Sequence, residues 1–286
     1  MIRRLALAAL LLAAPARADV TLSQRLSITS VAGTGSGTVV TATSGKYRRE
    51  ERRLALDGPF AGAQPDTSEV AIMRLDRGVI DRLSDADSTY EEIPFARALS
   101  HLPQAPMPGV DPNGLDIAWT VEASSPGGSE TIAGHVATPH TLTLRGKGTQ
   151  KGTGQPVELV LGFTLWTAPG VPGAAEMRAF DAGYAAGVGM APGMIEETLG
   201  SYGVPRATIR RLTDARARIA GTPLRTVMTV AMPSLGDLLS KLSATLGANA
   251  PAPDGPLLTS TLEVESIDTS KIAPARFRVP AGYRRR

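Results

Sequence analysis

Alternation with a period of two residues dominates the chain from residue 20 onward. Val20, Leu22, Leu26 and Ile28 fall on one side of an extended segment and Thr21, Ser23, Arg25 and Thr29 on the other, which predicts a half-buried strand. Lys46 to Asp57 predicts a solvated strand. Its run Tyr47-Arg48-Arg49-Glu50-Glu51-Arg52-Arg53 mixes charge signs in a way that suits cross-strand pairing and discourages edge aggregation. Val70 to Leu75 and Gly78 to Leu83 flank Asp76-Arg77 and predict a hairpin, followed by a turn at Ser84 to Asp87 that leads to Tyr90. The Pro-rich stretch Pro103 to Pro112 reads as a crossing segment, because proline lacks a backbone donor and fixes φ. Three strands come after it. Leu115, Ile117, Trp119 and Val121 alternate in the first, Ile132, Val136, Leu142 and Leu144 in the second, and Val157, Leu159, Leu161, Phe163 and Leu165 in the third. Gly146 to Gly154 reads as the loop of a long hairpin between the last two, and Gly33 to Gly37 as another hairpin loop. Leu224 to Val230 and Leu257 to Ile267 supply two further strands.

Helical spacing is confined to residues 173–247, apart from a short helix or loop around Ala96 to Leu102. Met177, Phe180, Tyr184 and Val188 recur at helical intervals, against the weakening effect of Gly183, Gly187 and Gly189. Pro205 suits the first position of a second helix, which carries Ile209, Leu212 and Ile219 on one side and five arginines elsewhere. A third helix is capped by Ser234 and Asp237, stops at Gly247, and presents Leu235, Leu238, Leu239, Leu242 and Leu246 as an apolar stripe that needs a sheet to cover. The pattern as a whole predicts an α+β fold, mainly antiparallel β, in one domain over residues 19–286 with a helical insertion around 173–247.

The first 18 residues have a different character. Arg3 and Arg4 precede the apolar run Leu5 to Ala14, and Ala16-Arg17-Ala18 forms a small-residue cleavage site, so they read as a secretory signal peptide. That reading changes the charge balance. The 286-residue chain has 30 Lys plus Arg against 27 Asp plus Glu, and losing Arg3, Arg4 and Arg17 leaves a formally neutral product. Neutrality removes the electrostatic case for a nucleic-acid partner that the sequence pI near 9.4 suggests. No later stretch approaches the roughly 18 apolar residues of a membrane span, so no transmembrane anchor is expected after cleavage. With no cysteine, there are no disulfides, no thiolate metal ligands and no lipid-modified cysteine. The expected location is the periplasm, as a soluble protein.

Candidate chemistry is sparse. The Gly146 to Gly154 segment lacks the GxxxxGK[ST] spacing and precedes a strand, not the helix N-terminus that a phosphate site requires. Of the three histidines, His101, His135 and His140, the last two are separated by an odd number of residues and face opposite ways on a continuous strand, which argues against a shared metal. No GxSxG or HExxH is present, and Asp85-Ala86-Asp87 and Glu91-Glu92 read as turn-capping carboxylates. No cofactor and no metal are expected. Trp119, Phe163, Trp166, Met177, Phe180 and Tyr184 hold much of a small aromatic and methionine supply in mid-chain, where they read either as core or as the lining of a ligand cavity.

Several phrases taken together carry a likeness: Asp81 to Pro94, Ile132 to His135, Leu165 to Phe180, Gly221 to Leu224 and Phe277 to Tyr283. In this order, over most of residues 19–286, the chain resembles exported proteins related to the LolA and LppX lipoprotein-carrier group. The resemblance implies a strongly curved antiparallel half-barrel, covered on its concave side by helices and enclosing an apolar cavity for acyl chains. The expectation that follows is a noncatalytic binding or carrier protein for an acyl chain, lipid or lipidated partner. Its ligand-binding residues would be Trp119, Phe163, Trp166, Met177, Phe180, Tyr184, Leu235, Leu239 and Leu242. Two other classes stand beside it: a structural or interaction protein of the cell envelope with a protein partner and no small ligand, and a hydrolase with an unrecognised site at His135 or His140.

Overall fold

The computed structural model describes residues 19–30, 33–57, 67–98, 115–188, 204–233 and 255–286. It is built around one large, open, curved sheet of mostly antiparallel strands with few helices. In chain order the strands are β1 (Val20–Ser30), β2 (Gly33–Ser44), β3 (Tyr47–Asp57), β4 (Thr67–Arg74), β5 (Val79–Ser84) and β6 (Thr89–Pro94). Then come α1 (Phe95–Ala98), β7 (Leu115–Ser124), β8 (Glu130–Ile132), β9 (His135–Gln150), β10 (Pro156–Ala168), α2 (Ala174–Val188), α3 (Arg206–Ala217), β11 (Thr222–Ala231), β12 (Leu258–Asp268) and β13 (Arg284–Arg285). Across the sheet the order is β13-β6-β5-β4-β3-β2-β1-β12-β11-β10-β9-β7, with β8 beside β9. Every described pairing is antiparallel except that of β13 with β6. The seam at the centre joins β1 to β12, so the first and last long strands are neighbours.

Two segments expected as loops are strands. β2 begins at Gly33, and β9 runs through Gly146 and Gly148 to Gln150 before a short turn leads to Pro156. The glycines serve close approach here, not a turn. A Cβ at Gly146 would lie 2.8 Å from both Ile117 Cγ2 and Trp119 Cζ3, and one at Gly35 would lie 2.8 Å from Leu56 Cδ2. β8 and β13 span three and two residues, too short to show a period. α2 forms despite Gly183 and Gly187 because the missing side chains leave room for Leu75 and the Phe95 ring. The expected third helix, the Pro-rich segment, the signal peptide and His101 lie outside the described residues.

The registers divide the sheet into two faces. One carries Leu26 and Ile28 of β1, Val39 and Thr43 of β2, Leu258 and Leu262 of β12, and Met228 and Val230 of β11. It continues through Leu161, Phe163 and Leu165 of β10, Leu142 and Leu144 of β9, and Trp119 and Val121 of β7. α2 packs on this face, with Phe180 against Arg48 and Gly173 against Val20, and so does α3, with Leu212 in the cluster of Leu142 and Phe163. The opposite face carries ion pairs such as Arg25 with Glu263, and at one end Val70, Ile72 and Leu83 are covered by Ile272 and Phe277. Among the described residues no helix is long and apolar enough to cross a membrane.

Candidate functional site

Period-two alternation on β9 and β10 puts Leu142, Leu144, Leu159, Leu161, Phe163 and Leu165 side by side as an apolar floor on the helix-bearing face. All six are buried, and Leu212 and Val204 close over them. Around this centre Trp119, Val121, Ile209, Met228, Val230 and Leu257 are only half-buried. Across the seam the same face carries Leu258, Leu262, Leu26 and Ile28, also half-buried, interleaved with Thr226, Ser260 and Ser30. The floor is therefore sealed under α3 and looser toward the middle of the sheet.

Its border at the other end is held by directional contacts. Phe180 is fully buried and lies under the Arg48 guanidinium, 4.2 Å from carbon to ring centroid. The same guanidinium donates to Asp181 at 2.6 Å and to Thr43 Oγ1 at 3.1 Å. Tyr184 stands edge-on to Phe95 at 5.1 Å and stacks at 6.5 Å with Phe180. Glu176, buried in the first turn of α2, accepts a hydrogen bond from the Gly45 backbone N–H in the β2–β3 turn. Met177 joins Val20, Val171 and Val264.

The residues expected to bind ligand thus separate. Trp119 and Phe163 belong to the floor, whereas Met177, Phe180 and Tyr184 fasten α2 to the sheet. Trp166 is on the other face, directly across from Arg225, whose guanidinium sits 5.3 Å from its ring centroid. There Arg225 also donates to Glu263 and, at 2.7 Å through two nitrogens, to Glu130, which holds the Glu130 carboxyl below the usual range. Leu235, Leu239 and Leu242 lie outside the described residues. Met228, Val230, Leu262, Leu26 and Ile28 are floor residues that reading single segments left out. Their signal was alternation, and only the register places them together.

Two polar features remain. His140 Nδ1 is 2.9 Å from Ser125 Oγ, but its Nε2 meets Thr138 Oγ1 at 3.4 Å. No described carboxylate orients the ring, and both contacts are solvent-exposed. A nucleophile and base are adjacent without the orienting third group or the water exclusion that acyl transfer uses. On the face away from the helices, a cleft of about 210 Å³ is lined by Ser44, Tyr47, Arg74, Ile272, Pro274, Phe277 and Arg278, with Tyr47 stacked on Phe277 at 5.9 Å. Nearby Asp81 is 3 % exposed, and its Oδ1 has no hydrogen-bond partner among the described residues. Burial, and then the charge of Glu92 on the adjacent strand, push its carboxyl above the ordinary value. Among the described residues no three His, Cys, Asp or Glu side chains gather in a way that could hold a metal ion.

No family model and no curated protein matches the chain. Two solved structures align with it over 92 % of this chain and 91 % of theirs. One is a candidate outer membrane lipoprotein-sorting protein domain from Vibrio parahaemolyticus, at 8 % identity and a TM-score of 0.27. The other is a DUF1329 family protein from Desulfovibrio piger, at 9 % identity and a TM-score of 0.21.

Proposed function

We propose that this protein is a noncatalytic carrier or binding protein of the bacterial periplasm, holding an acyl chain, lipid or lipidated partner on the apolar floor of its sheet. The observation that carries this reading is the extent of that largely apolar face. Strands β7, β9, β10, β11, β12 and β1 turn mostly apolar side chains, with Thr226 and Ser260 among them, to one face that is buried under α3 and half-buried toward the seam. The helices lie on the concave side in this reading, and Leu235, Leu239 and Leu242 count among the residues that would contact the ligand. Transfer from water contributes about 0.8 kcal/mol for each buried methylene, so an acyl chain can be held without any reactive group. Residues 1–18 direct export and are then removed.

The test is native mass spectrometry of the purified protein, followed by solvent extraction. An amphiphile should be recovered from the wild type, and the double variant Met228→Glu, Leu262→Glu should lose at least about tenfold of it, because an uncompensated carboxylate in an apolar site is costly to bury. Circular dichroism checks that the variant remains folded. Repeated recovery of empty wild-type protein overturns the reading.

A further inference from the structure

We infer that the outer side of α3 is a docking surface for anionic phospholipid, by which the protein seats itself on a membrane. Helical spacing sends Thr208, Leu212, Ala215 and the following Ile219 toward the sheet, and places Arg206, Arg210, Arg211 and the adjoining Arg218 on the solvent arc. All four guanidiniums are exposed, and none makes an ion pair or hydrogen bond among the described residues. Most other arginines of the sheet are paired: Arg25 with Glu263, Arg48 with Asp181, Arg225 with Glu130, Arg286 with Asp87. Asp214 is the single acid on α3. The acids of β7, which α3 crosses, are Asp116 and Glu122. They alternate with Ile117, Trp119 and Val121 and so point to the opposite face.

Folding gives no reason for this arrangement. Arg206 sits in the first turn, where the helix dipole disfavours a cation, and Arg206 and Arg210 are like charges four residues apart. Both placements cost helix stability, and no acid in the first turn offsets them. Four cations spread over a helix of about 18 Å match a plane of phosphates, which guanidinium groups engage with paired hydrogen bonds. The choice of a bilayer over another polyanion rests on the carrier reading. The inner side of the same helix closes the apolar floor, so docking through α3 would bring the floor's cover against the surface that supplies or receives an acyl chain.

Flotation with vesicles tests this on the full mature chain. Wild type should bind vesicles containing about one third phosphatidylglycerol, should ignore pure phosphatidylcholine, and should release as salt rises. The variant Arg206→Gln, Arg210→Gln, Arg211→Gln, Arg218→Gln should lose at least about tenfold of that binding, and the matching Lys variant should retain most of it. Arg210→Gln alone, which disturbs the fold least, should give a smaller loss in the same direction. Equal binding by wild type and the Gln variant, absence of binding to anionic vesicles, or tighter binding to a single-stranded oligonucleotide would each overturn the inference. Cargo recovery is measured in parallel. Empty wild-type protein that still floats with anionic vesicles sinks the carrier reading and supports this one, whereas loaded protein that never floats does the reverse.

Discussion

The two helices on the helix-bearing face are held in different ways. α2 is fastened by directional contacts: a buried phenyl ring under a guanidinium that also bonds Thr43 and Asp181, a buried carboxylate on a turn N–H, and a T-shaped aromatic pair. α3 rests on leucines through Leu212, Ile209 and Ala215, and Thr213 Oγ1 donates within the helix to the Ile209 carbonyl. Directional contacts specify one position, while apolar contact tolerates several. α2 is thus part of the frame, and α3 is the more loosely specified of the two helices.

The largest expected effect tests that contrast directly. Phe180→Ala should lower the unfolding free energy by about 3–5 kcal/mol, since it empties a fully buried site and strips the guanidinium of its ring. Leu212→Ala should cost nearer 2 kcal/mol, the low end for leucine, because the floor around it can close up. Denaturant titrations give both numbers, and equal losses would break the distinction. Hydrogen exchange should also find α3 amides opening at lower free energy than those of α2.

A smaller change sharpens the α3 side. Gly146→Ala forces Ile117 and Trp119 off the strand and should cost about 1–3 kcal/mol, with a shift in Trp119 emission measured in a Trp166→Phe background. An unchanged spectrum would show that the indole does not depend on that glycine.

The smallest effect lies behind the α2 end, on the opposite face. Burial raises the Asp81 carboxyl above its ordinary value of 3.8, so at neutral pH the folded state holds a charge that it would prefer protonated. In the window between the ordinary and the raised value, the folded state binds more protons than the unfolded chain. This group's contribution therefore falls as pH rises through that window, and it stays unfavourable above it. Asp81→Asn should stabilise the protein by on the order of 1 kcal/mol at neutral pH, with the gain vanishing below the ordinary carboxylate range. Unfolding midpoints at two pH values decide it, and a loss at neutral pH would mean that the charge has a partner.

Much of the frame was legible because period two is a local property. Val20 to Thr29, Lys46 to Asp57, the hairpin around Asp76-Arg77 and Val157 to Leu165 all became strands close to their expected bounds. The failures came where a residue's role depends on a distant neighbour. Gly35 and Gly146 look like turn residues until Leu56 and Trp119 are laid across them. The site was legible in composition but not in geometry. Phe163 and Trp166 are three apart on one strand, and parity alone sends them to opposite faces, yet aromatic scarcity made them look like one group. Met228, Leu262 and Leu26 come from three separate segments, and nothing within any one of them announces the shared surface.

The seam between β1 and β12 has a kinetic consequence. Hydrogen bonds such as that from Arg25 to Glu263 link residues 238 positions apart, so the middle of the sheet stays open until the last long strand has been made. Closing so distant a pairing is slow, and it leaves the facing edges of β1 and β11 unpaired in the meantime. Such a chain remains extended for longest at its very centre. Late closure is a hazard for a protein that folds where it is made, and an advantage for one that must be threaded through a membrane before folding.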